Sequence, residues 1–266
     1  MDKSSYSSID TKTGRRIGGG WLTTRTQTLE EKIRGARQSF TGKSSRAHAF
    51  RFWTEFLQQA FADEWFGRYR SGDIRGRDKD ARWGMIFWMP HIEEGEPKLH
   101  IAMIEINARN ALNRKGIVGP LVLAEVTDHA VARAICRMAK EGDISYRQIC
   151  DEFQEAVEQL MPLLFARIQA LNEKKNISCP DLIVPTPLGA LTVRVVDSPG
   201  AGVNPRRRIL FTTWLSDKTM QSEPHLRAVQ SARAKGSILL DNGKTGTLIS
   251  PFKSEADAIR AYFSFD

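Results

Sequence analysis

Cysteine is scarce in this sequence. Three residues, Cys136, Cys150 and Cys179, stand among 266, and no two have CxxC spacing. That excludes a disulfide framework and a cysteine-rich metal knuckle, and it suits free thiols in a reducing, cytoplasmic setting. Long apolar runs are also missing. None approaches the ~20 residues a membrane-spanning helix needs, so no membrane partner is expected. The first residues, MDKSSYSSIDTKTGRR, contain no apolar core of a secretory leader. The five histidines (His48, His91, His100, His129, His225) form no HExxH motif and no i, i+4 pair. Two segments, Gly42-Lys43-Ser44-Ser45 and Gly243-Lys244-Thr245, resemble the end of a phosphate-binding loop. The glycine such a loop needs five residues earlier is replaced by Arg37 and Ile238. No internal repeat is visible. With 41% apolar and 26% charged residues, the composition is that of an ordinary globular chain.

What the sequence has is positive charge, unevenly placed. Lysine and arginine number 39 against 31 acids, for a formal net charge of +8. Residues 1–50 hold ten of these cations against four acids, and residues 201–266 hold ten against six. The stretch between them is slightly acidic. Cationic ends on a near-neutral body suit contact with a polyanion, although a solvated basic surface gives the same count.

The pattern along the chain predicts an α+β protein in three parts. Residues 1–45 read as a flexible basic arm, because 1–28 are rich in Ser, Thr and Gly and include Gly18-Gly19-Gly20. Within the arm, Trp21-Leu22 could anchor it, and Thr28 to Ser39 could form a short capped helix. Residues 46–176 read as a mixed unit. Ala49, Phe50, Trp53, Phe56, Leu57, Ala60 and Phe61 keep helical spacing, which predicts a helix from Ser45 to about Tyr69. Strands Trp83 to Met89 and Leu99 to Ile106 then form an antiparallel hairpin around the Glu93–Pro97 turn. Helices follow from Gly119 to Gly142 and from Ser145 onward, the second with Gln148 at the capping-box offset and Pro162 as a kink. Residues 177–266 read as a β-rich unit. It has strands near 182–184, 191–196 and 209–214 and a helix from Pro224 to Ala234. A hairpin turned at Asn242-Gly243 follows, and a last helix spans Glu255 to Tyr262.

Three chemistries fit these features. The first is non-enzymatic binding of DNA or RNA by the arm and arginine clusters: Arg37, Lys43, Arg46, Arg51, Arg75, Arg77 and the run Arg206, Arg207, Arg208. Guanidinium groups grip phosphate by paired hydrogen bonds. Against it, arginines often only rim an apolar core, and the Phe/Trp stripe of the 45–69 helix reads as that core. The second is a protein-interaction role, with the arm or aromatic helix docking a protein partner. The third is a nuclease-like enzyme, in which Glu64, Asp80 and Glu105 would hold Mg²⁺ against a phosphate. Glu105 sits in an apolar strand, where a charge needs a reason, but Asn107 stands where such cores carry lysine. Only this third chemistry calls for a cofactor. A helix-turn-helix over Ala134 to Phe153, read by Arg147 and Gln148, competes with an ordinary helical hairpin, which the acidic run Asp151, Glu152, Glu155, Glu158 favours.

Overall fold

The computed structural model describes residues 10–40, 45–62, 64–72, 79–109, 111, 120–139, 144–172, 181–198, 206–220, 222–240 and 247–249, with backbone alone at 162–172, 195–198, 206–208, 219, 240 and 247–249. Among these residues the chain runs α1 (Thr11–Ser39), α2 (Arg46–Ala60), β1 (Trp65–Ser71), β2 (Arg82–Glu93), β3 (Glu96–Asn107) and β4 (Leu121–Val126). It continues through α3 (Asp128–Met138), α4 (Tyr146–Asn172), β5 (Leu182–Thr186), β6 (Gly189–Ser198), β7 (Arg206–Ser216), α5 (Glu223–Ala234), β8 (Ile238–Leu240) and β9 (Thr247–Ile249). The fold is α+β. All the strands join one sheet in the order β1-β2-β3-β4-β7-β6-β5-β8-β9.

The expected hairpin is its longest ladder. β2 and β3 pair from Arg82↔Asn107 to Glu93↔Glu96. Glu94 and Gly95 both take positive φ, 53° and 84°, at the tip. That is the left-handed pair a two-residue turn needs to match strand twist, and Gly95 adopts it without a Cβ penalty. Alternation then sorts the side chains. Trp83, Met85 and Phe87 of β2 pack with Ala102, Ile104 and Ile106 of β3 under Phe50, Trp53 and Leu57 of α2. Ile86, Trp88 and Ile101 pack in a second cluster with Leu22 of α1, Ile135 of α3 and Phe153 of α4. The α2 aromatics are therefore core.

Three expectations are corrected. The arm is the largest of them. Residues 11–39, expected to be mostly flexible, form one helix, α1, capped by Asp10, whose Oδ1 accepts from Thr13 N at 2.6 Å. Composition alone missed the spacing: Gly14, Gly18, Leu22 and Thr26 recur every four residues and are all buried. The glycines let two helix backbones approach. A Cβ on Gly14 would lie 2.7 Å from Cys136 Sγ and 2.8 Å from the Ala132 carbonyl oxygen of α3. Residues 1–9 and 41–44 of that arm lie outside the described residues.

Second, the helix begun at Ser45 stops at Ala60, and Trp65–Ser71 is strand β1. Its aromatics are equally suited to a pleated surface, and pairing with β2 decides the matter. Gly84 of β2 makes room for Tyr69: a Cβ there would stand within 3 Å of three atoms of the ring. Third, the helix expected from Gly119 is replaced at its start by β4. An apolar run as short as Leu121–Val126 suits either state, and the two open sheet edges of β3 and β7 capture it. In the C-terminal part, β5, β6, β7, α5 and the β8–β9 pair stand near the expected positions. The Asn242-Gly243 turn and the 255–262 helix lie outside the described residues.

Candidate nucleic-acid interface

The cations divide by what the fold asks of them. Along α1 they are Lys12, Arg15, Arg16, Arg25, Lys32, Arg34 and Arg37, against the acids Glu30 and Glu31. The buried stripe fixes which way the helix faces. Lys12, Arg16 and Arg34 fall opposite the buried stripe, Arg37 lies on its flank, and all four are exposed. At a rise of 1.5 Å per residue, the Lys12/Arg16 pair and the Arg34/Arg37 pair sit about 30 Å apart on a rigid rod. Arg25 has another task. It forms an ion pair with Glu64, and its guanidinium carbon lies 4.3 Å from the Tyr146 ring centre. This ties α1 to α4 and to the residue before β1.

At the junction of the first two helices, Arg37 is in the last turn of α1 and Arg46 in the first turn of α2. Phe40 holds the two helices together, with ring centres 5.3 Å from Phe52 and 5.2 Å from Trp53. Arg51 is exposed on α2, and Arg46 is half-buried. The structure thus brings Arg37 and Arg46 to one helical corner, while Lys43, Arg75 and Arg77 lie outside the described residues. Arg206, Arg207 and Arg208 are elsewhere. They open β7, in register with Ser198, Asp197 and Val196 of β6.

The acids proposed to hold Mg²⁺ are not gathered. Glu64 pairs with Arg25; Asp80 pairs with Arg109 at 2.6 Å, and Glu105 with Arg82 at 3.6 Å. Burial pushes the Glu105 carboxyl up from its ordinary range. Among the described residues no group of three or more His, Cys, Asp or Glu could hold a metal ion. His91 and His100 do approach across β2–β3, with ring centres 5.6 Å apart, and His100 lies 3.8 Å from Glu125.

The helix-turn-helix reading loses its readers. Gln148 serves as a cap: its Oε1 accepts from Ser145 N at 2.7 Å. Arg147 is paired with Asp151 at 2.8 Å, and Ile149, Cys150 and Phe153 of the same helix are buried. Both described cysteines are core thiols. Burial pushes Cys150 up to about 12, and Cys136 is also raised.

Sequence reasoning missed a second basic stripe. His129, Arg133 and Arg137 recur every four residues along α3 and are half-buried beside Arg15 of α1. The i, i+4, i+8 spacing was available as a signal, but the segment reads first as the apolar helix it also is. Comparison with family models, with curated proteins and with solved structures finds no match for this chain.

Proposed function

We propose that this protein binds the phosphate backbone of a nucleic acid, without catalysis, through the outer face of α1 and the α1–α2 corner. The observation that carries the reading is the orientation of α1. Gly14 and Gly18 are buried against α3, and Lys12, Arg16 and Arg34 fall on the opposite side, with Arg37 on its flank and Glu30 and Glu31 as the acids of that side. A rod with cations at both ends suits a charged lattice better than a small anion. The spacing of about 30 Å is near one turn of a DNA duplex, about 34 Å, which favours double-stranded DNA over a single strand.

The test is a salt series with duplex and single-stranded oligonucleotides. Each phosphate that a variant no longer neutralises flattens the log–log salt slope by about 0.7–0.9. A protein with all four residues changed to Gln should therefore lose roughly 3 units of slope on duplex and keep its thermal midpoint. An unchanged slope in a folded variant would overturn the reading. The Arg206, Arg207, Arg208 triple alanine variant tests a separate cluster and should reduce the slope less.

One observation favours a protein partner as a second reading. Leu121 and Val122, adjacent in β4, remain 45% and 40% exposed in a central strand. Co-purification that is indifferent to salt and abolished in a Leu121→Ser, Val122→Ser variant would support it.

A further inference from the structure

The α3 stripe differs in kind from the outer face of α1. It is crowded. His129, Arg133 and Arg137 lie one helical turn apart, a spacing that sets neighbouring side chains about 5–6 Å from each other. Arg15 reaches in from α1, its Nε 3.0 Å from Asp128. Asp128 opposes Arg133, Arg15 and Arg137 at His129, and Asp10 acts with Arg133 and Arg137 on the neighbouring Cys136, so three guanidinium groups stand against two carboxylates. Nor are the cations loose. Arg137 Nη1 donates to the Trp214 carbonyl oxygen at 2.9 Å, which fixes that guanidinium against β7. Arg133 Nε is buried with no hydrogen-bond partner among the described residues. With its Nε enclosed, Arg133 can meet an anion only through its terminal nitrogens, beside a second arginine held in place.

We infer that Arg133, flanked one turn to either side by His129 and Arg137 and faced by Arg15 of α1, is the centre of a binding site for a phosphoryl group. The charges agree in sign: three arginines outnumber Asp128 and Asp10, leaving positive charge for a phosphate monoester of about −1.5 to −2 near neutral pH. The shape agrees too, since guanidinium forks take tetrahedral oxyanions in pairs. His129 completes the set as a group whose protonation follows occupancy. Burial, then Arg133 and Arg15, hold its imidazole below the usual range, with Arg137 adding to this and Asp128 opposing it. Burial and the charge of Arg133 likewise lower Arg137. A bound dianion offsets this repulsion. The inference does not depend on the nucleic-acid reading, because a free phosphate presents the same oxyanion as a backbone phosphate.

The test follows the His129 imidazole by NMR through a pH titration of the full chain. Inorganic phosphate replaces chloride at constant ionic strength. Phosphate should raise the His129 pKa. Arg133→Gln should raise it in the free protein, by removing a repulsive neighbour, and should weaken phosphate about tenfold. Arg15→Gln, on the other helix, should act in the same direction and guards against a folding defect in α3. A second arm uses a short duplex. A shift with both ligands identifies a backbone phosphate as an occupant, and a shift with inorganic phosphate alone identifies a free phosphoryl group. No shift with either ligand, or an equal shift with chloride alone, would overturn the site. So would phosphate binding unchanged in both variants. Duplex binding that fails while the phosphate shift persists leaves this site standing and removes the proposed function instead.

Discussion

Two glycines of α1 make opposite demands on a side chain. Gly14 lies against α3, where a methyl group would meet Cys136 Sγ and the Ala132 carbonyl inside van der Waals distance. Gly14→Ala must therefore push the helices apart, at a cost of about 1–3 kcal/mol. Gly20 has nothing within 4 Å of its would-be Cβ and sits mid-helix. Gly20→Ala should stabilise by about 0.5–1 kcal/mol, because alanine loses less backbone freedom on forming the helix. Urea unfolding of the two variants checks both signs. Glu152 makes a different demand. Its Oε1 accepts from Thr186 Oγ1 at 2.5 Å, Leu188 N at 3.0 Å and Trp214 Nε1 at 3.1 Å, joining α4 to β5, the β5–β6 turn and β7. Burial pushes this carboxyl up despite the three donors. Between its ordinary value and the raised one, the folded chain holds more protons than the unfolded one, so stability falls as pH rises through that window. Glu152→Gln keeps the acceptor and should flatten the slope. Glu152→Ala strands the Thr186 hydroxyl and the Leu188 amide, while Trp214 keeps Thr186 Oγ1 as acceptor, and should cost about 2–4 kcal/mol.

At the scale of elements, α1 behaves as a clamp across the molecule. It touches α3 through glycines, the core through Leu22, and α2 through Phe40. Trypsin should accordingly cut Arg15, Arg16 and Arg25 no earlier than the body of the protein, and a time course resolved by mass spectrometry checks this. Early cutting at those sites would mean that α1 leaves the sheet. The same helix marks the limit of sequence reading. The β2–β3 hairpin, the start of α2 and the β5, β6 and β7 strands were legible, because each carries its own period and its own turn or cap. α1 was not, because its buried edge is made of glycine and threonine, which no hydrophobic pattern detects. β1 and β4 were misread for another reason. Trp65–Ser71 and Leu121–Val126 are too short to declare a period, and partners distant in sequence decide their state. The candidate interface was legible as charge but not as direction. Only the packing of α1 shows which of its cations are exposed and which, like Arg25, are engaged inside.

The whole molecule depends on the seam between β4 and β7, the parallel pair where its two antiparallel halves meet. That ladder has three register pairs, from Ala124↔Ile209 to Val126↔Phe211. Beyond it α3 takes the place of a strand. Thr127 N donates to the Phe211 oxygen at 3.0 Å, Thr127 Oγ1 to the Thr212 oxygen at 2.9 Å, and Arg137 to the Trp214 oxygen. Thr127 Oγ1 also caps α3, accepting from Ala130 N at 3.2 Å. Thr127→Val keeps the shape and removes both roles. It should cost about 1–2 kcal/mol. Hydrogen exchange should show the loss at the amides of α3 and β7 before those of the β2–β3 hairpin.

That seam also sets an order of events in time. Thr127 and Thr212 are 85 residues apart, whereas β2–β3, β5–β6 and β8–β9 each close through a short connection. Hairpins form within microseconds, but a distant parallel pairing must wait for loop closure across everything between. On a ribosome adding about 5–20 residues per second, β4 emerges roughly 4–17 s before its partner on that side has been made. For that interval an apolar strand carrying Leu121 and Val122 shows an open edge. The newly made chain is therefore most vulnerable to joining a second copy of itself at the edge that the finished protein seals.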